Sequence, residues 1–170
     1  MKEGYGRVWL YTILLLMQIF LSDYVNIGPY IYLCCLPLLV ILLPIEQNTS
    51  ISMGLAFLAG LIVDLLGDGI PGLNAAAAVA LAAVRKPLFW AFFNKNNIDR
   101  GDLPSIQEAG IFRHINFLAA SLAVFFIVYI GLDSAGMESI LTTVLRFVLS
   151  IAANLVLLVV LDYFMLNAHR

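Results

Sequence analysis

Apolar residues gather into six runs along this 170-residue chain, at about 8–25, 30–45, 50–66, 72–93, 115–132 and 141–166, with mostly short polar breaks between them. Runs of about 18 apolar residues or more match the thickness of a bilayer and exceed what a small soluble core needs. The composition agrees, because 62% of residues are hydrophobic and 12% charged, whereas soluble domains carry about a quarter charged residues. The pattern predicts an all-α, polytopic membrane protein with six transmembrane helices, and residues 1–170 form a single domain. The second and third runs are short, since about 16 or 17 residues rise roughly 25 Å against a hydrocarbon core of about 30 Å. They are expected to thin the bilayer locally or to fold as a re-entrant hairpin.

Basic residues fix the orientation. Lys2 and Arg7 precede the first run, Arg85, Lys86, Lys95, Arg100 and Arg113 flank or fill the fourth connection, and Arg170 is terminal. The first, third and fifth connections hold Asp23, Asp68, Asp133 and Glu138 but neither Lys nor Arg. The excess of Lys and Arg on cytoplasmic loops then puts both termini, and a loop over residues 94–114, in the cytoplasm. Within that loop Ser105 and Glu108 form an S-x-x-E capping box behind Pro104, which predicts a short surface helix. No cleavage site follows the first run, so it reads as a retained span. The net charge of -2 gives no footing for nucleic acid.

Few residues suit catalysis. His114 and His169 have no Cys, Asp or Glu at ligand spacing, and the adjacent Cys34 and Cys35 lie inside an apolar run as small core residues. Gly67, Gly69 and Gly72 spell G-x-G-x-x-G, but no βαβ pattern surrounds them, and with Pro71 they predict a tight turn between helices. An enzyme is not expected, nor is a cofactor or metal.

Asp64 is the conspicuous residue, a carboxylate in the third run. At spacings of four, Ala56, Gly60 and Asp64 share one helix face, and a face of small residues packs against another helix rather than lipid. An intramembrane carboxylate, costing about 2.5–3.5 kcal/mol on insertion scales, also looks inward. Its expected partner is Arg146, at the same depth in the sixth run, where Arg146, Ser150 and Asn154 form a polar seam. A second pairing, weaker because both ends reach water, joins Asp162 to Arg85 or Lys86. The fourth run carries Ala76, Ala80 and Ala83 on one face, which predicts close packing there.

The stretch LPIEQNTSISMGLAFLAGLIVDLLGDGIPGLNAAAAVALAAVRKPLF, residues 43–89, resembles the bacterial rod shape-determining protein MreD family. The resemblance lies in the order of parts: an apolar hairpin, G-L-x-x-D at Gly60, Leu61 and Asp64, a Pro-Gly turn at Pro71 and Gly72, and an Ala-rich helix ending in basic residues. It implies a multi-pass protein of the bacterial inner membrane and a non-catalytic scaffold subunit of the elongasome, which builds side-wall peptidoglycan and maintains rod cell shape. Implied partners are a bitopic MreC-like protein, a RodA-type glycosyltransferase with its transpeptidase, and MreB at the cytoplasmic face, with a homodimer left open. The family is also similar in fold to the membrane S components of energy-coupling-factor vitamin transporters. A substrate-binding subunit of that kind is therefore the rival reading. Asn26, Asp64, Asn74 and Arg146 are the polar residues within reach of an outer pocket.

Overall fold

The computed structural model describes residues 2–24, 28, 30–68, 70–93, 110–134 and 139–168. The described chain is helical and contains no strand: α1 (Lys2–Tyr24), α2 (Leu36–Leu42), α3 (Thr49–Val63), α4 (Leu73–Phe92), α5 (Ile111–Asp133) and α6 (Ile140–Ala168). A π-helical turn, Asp64–Asp68, prolongs α3. Among the described residues, four helices are long and apolar enough to cross a membrane: Thr49–Gly67, Leu73–Phe92, Ile111–Asp133 and Ile140–Leu161. The apolar part of α1, Trp9–Tyr24, is shorter. The capping box at Ser105 and Glu108 lies outside the described residues, and the loop expected to run to residue 114 gives way to helix at Ile111.

The second run departs from the expected helical span. Residues 31–35 are not helical, and the helix that follows has seven residues, a rise of about 10 Å. Pro37 is the cause. It sits in the first turn of α2, where its missing N–H costs nothing, but a helix passing through it would collide with the carbonyl of Leu33. Pro44 limits the other end. The third run, which looked short, gains length from the π turn.

Apolar burial gives little preference between neighbours when lipid is the alternative, so close packing and polar contacts decide which helices meet. Phe89, Phe93 and Phe117 form an aromatic cluster between α4 and α5, with Phe93 and Phe117 centroids 5.2 Å apart. Leu14, Leu38, Val40, Ala78, Leu122 and Phe125 belong to the larger core nearby. The buried face of α4 carries Ala75, Ala78, Ala82 and Arg85, while Ala83 is exposed. The expected Ala76, Ala80 and Ala83 face is thus the wrong side, because Asn74 and Arg85 turn their own side inward.

Candidate functional site

Asp64 ends α3, and its side chain turns to the start of α4. Its carboxylate accepts the amides of Gly72 at 2.8 Å, Asn74 at 2.9 Å and Ala75 at 3.1 Å. Gly72 is the N-cap of α4, so Asn74 and Ala75 are the second and third helical residues, whose amides a capping side chain ordinarily serves. Gly72 has no side chain to offer and holds φ at +105°, a conformation glycine adopts without strain. Asp64 therefore caps α4 from a different helix, and the positive end of the α4 dipole lies against a fully buried carboxylate. Pro71, exposed beside Gly72, shapes the turn between them. Gly60 makes the approach feasible: a Cβ there would sit 2.5 Å from the Ala75 α-carbon.

Asn74 extends the contact. Its side-chain amide donates to the Tyr32 hydroxyl at 3.1 Å, and the Tyr32 ring stacks on Tyr129 of α5 with centroids 4.5 Å apart. Tyr32 belongs to the non-helical stretch, where side chains bond the Tyr32 and Cys34 peptide groups. Ser150 Oγ accepts the Tyr32 N–H at 3.1 Å. The Asn154 amide bridges the next positions, donating through Nδ2 to the Tyr32 carbonyl at 2.6 Å and accepting the Cys34 N–H through Oδ1 at 2.6 Å. One side chain thus plays the part of a neighbouring β-strand, bonding the carbonyl of one residue and the amide two further on. Asn154 is fully buried and also donates to the Ser150 carbonyl at 2.7 Å.

Both ends of α2 are capped from other helices. Gln18 of α1 accepts the Cys35 N–H through Oε1 at its start. At its end Arg85 donates through Nη1 to Val40 O at 2.9 Å and Leu43 O at 2.6 Å, and through Nη2 to Pro44 O at 2.7 Å. The Tyr11 hydroxyl donates to the Leu42 carbonyl at 2.9 Å. A buried guanidinium at a helix C-terminus is favoured for the same reason as a carboxylate at an N-terminus. Asp64 and Arg85 are thus opposite charges, each matched to a helix end.

The expected ion pair between Asp64 and Arg146 does not form. Arg146 Nη2 instead donates to Asp133 Oδ2 at 2.6 Å, stapling the end of α5 to the start of α6. A nearby helix terminus offers Asp64 three fixed amides a few residues along the chain, with no second charge to desolvate. The seam of Ser150 and Asn154 is buried as expected, but against residues 30–34 rather than α3. The Asp162 side chain lies outside the described residues, and Arg85 is engaged with carbonyls. Gln18 is a central residue that sequence reasoning passed over, and the partners of Tyr32 and the backbone carbonyls held by Arg85 were not foreseen. Gln18 alone in an apolar run, and Pro37 in the next, were the available signals.

Among the described residues no group of three His, Cys, Asp or Glu side chains is placed to hold a metal ion. What this network does is join segments, with α3 tied to α4, α2 to α1 and α4, and α6 to the broken second run. Against protein-family models, curated proteins and solved structures, the chain finds no match.

Proposed function

We propose that this chain is a non-catalytic scaffold subunit in the bacterial inner membrane, of the MreD kind, supporting side-wall peptidoglycan synthesis together with an MreC-like partner. One observation carries the reading. The parts on which the resemblance rests, Gly60, Asp64, Pro71, Gly72 and the Ala-rich helix, act as one device: the glycine admits α4, and the aspartate caps it. A motif that builds a rigid helix pair suits a protein that presents helix faces to other membrane proteins. In this reading both termini are cytoplasmic. The second run crosses as part extended chain and part helix, which keeps the six-pass parity, and the protein shares the S-component fold.

The test is reconstitution with defined partners. Co-expressed with the bitopic MreC-like protein of the same organism, the chain should copurify with it in mild detergent, and depleting it should round rod-shaped cells. Retention of rod shape on depletion and no association with that partner would reject the scaffold. The polar cluster of Tyr32, Asn74 and Asp64 at the α3–α4 turn favours the second reading, a solute-binding S component. That reading requires a bound vitamin or an associated pair of ATPases in the purified material.

A further inference from the structure

The rest of the molecule treats the two edges of residues 31–35 differently. One edge, with the Tyr32 N–H and carbonyl and the Cys34 N–H, is bonded to Ser150 and Asn154 of α6. The other carries the alternate residues Ile31, Leu33 and Cys35, and Gln18 of α1 takes the Cys35 N–H, so this edge faces α1. Neither the N–H nor the carbonyl of Ile31 or Leu33 has a hydrogen-bond partner among the described residues, and both residues are only half-buried. Irregular backbone persists at membrane depth only where protein satisfies it or water reaches it.

We propose that water enters between α1 and this stretch from the α3–α4 turn end, wets the Ile31 and Leu33 peptide groups, and stops at the bond between Gln18 and Cys35. Tyr30, which precedes the stretch, is 44% exposed. Fully buried Gln18, which also donates to the Ser22 hydroxyl at 3.2 Å, closes the floor. Leu33 is three residues from Tyr30, roughly 10 Å at the rise of an extended chain, within reach of a short file of waters. A buried water wants two to four polar partners, and the N–H and carbonyl groups of Ile31 and Leu33 provide them. The crevice is independent of the scaffold reading, since it follows from the hydrogen bonding of residues 31–35.

Residue-resolved amide exchange of the full chain in lipid nanodiscs tests it. Ile31 and Leu33 should exchange at least about 100-fold faster than Tyr32 and Cys34, whose amides are bonded. A water-soluble paramagnetic agent should broaden the same two signals. Protection of Ile31 and Leu33 equal to that of Tyr32 and Cys34 would overturn the proposal, and so would equally fast exchange of all four, which would mean that the stretch opens as a unit.

Discussion

Gly60 and Ala75 meet backbone to backbone, with space for a hydrogen but not a methyl: a Cβ on Gly60 would lie 2.5 Å from the Ala75 α-carbon and 2.6 Å from its nitrogen. Because the obstacle is main chain, it cannot swing away, and α3 must move off α4. Gly60→Ala should therefore destabilise the protein by about 1–3 kcal/mol, as overpacking does elsewhere. Gly54→Ala, on the same helix with nothing within 4 Å, is the control and should leave the melting temperature in detergent unchanged. Equal melting temperatures for the two variants would refute the close contact.

Three amides point at Asp64, so the state of its carboxylate can be read by substitution. Asparagine has the shape of a neutral, protonated aspartate, but it turns an NH2 group toward amide donors. Asp64→Asn should lower stability measurably, and Asp64→Ala should lower it further, by about 1–3 kcal/mol for each buried amide left without an acceptor. Thermal unfolding of both variants decides the matter. An Asp64→Asn protein as stable as the parent would show that the negative charge contributes nothing.

Arg146 tests the corrected pairing. Its contact with Asp133 is partly exposed, with relative accessibilities of 18% and 24%, so a double-mutant cycle should return only about 0.2–1 kcal/mol of coupling. The charge swap Asp133→Arg with Arg146→Asp should recover part of what each single change loses. Swapping Asp64 with Arg146 should recover nothing. Recovery in the second swap and none in the first would restore the pairing that hydropathy and depth alone suggest.

These residues also show what the sequence could and could not convey. Apolar runs located α1, α3, α4, α5 and α6, because run length and helix length are set by the same bilayer. The inward turn of Ala56, Gly60 and Asp64 was legible from spacing, and all three are buried. The partner of Asp64 was not, because pairing charges by depth considers side chains only, whereas the partner is a helix terminus that exists only once α4 has formed. The break in the second run was legible in principle from Pro37. Asn154 read as polar and inward, but nothing in its neighbours indicates that it bonds a backbone more than 100 residues away.

Arg85 makes the same argument from the other end of the bundle. Its fork spans three carbonyls at 2.6–2.9 Å, a geometry that a lysine ammonium on a flexible stem does not reproduce. Arg85→Lys should retain part of the contact, whereas Arg85→Met keeps the packing of the stem and loses every bond. Thermal unfolding should place Met below Lys and Lys below Arg, with a total loss of about 3 kcal/mol or more for Met. If Met equals Arg, the α2 carbonyls are satisfied by other means.

Asn154 is the residue on which the broken second run most depends. It serves two peptide groups of the stretch at 2.6 Å each, where Ser150 serves the Tyr32 amide. Single interhelical hydrogen bonds in membranes average only about 0.6 kcal/mol, because a separated helix finds other partners, and Ser150→Ala should fall near that value. Asn154→Leu is different: the chain cannot escape into helix past Pro37, so the Tyr32 carbonyl and the Cys34 amide stay in place and both lose their bonds to Asn154. The expected loss is about 2 kcal/mol or more, several times that of Ser150→Ala. Denaturant titration in mixed micelles, following release of α6 by a distance probe between α5 and α6, measures both variants on one scale. Equal losses would mean that the Asn154 amide is incidental to how α6 is held.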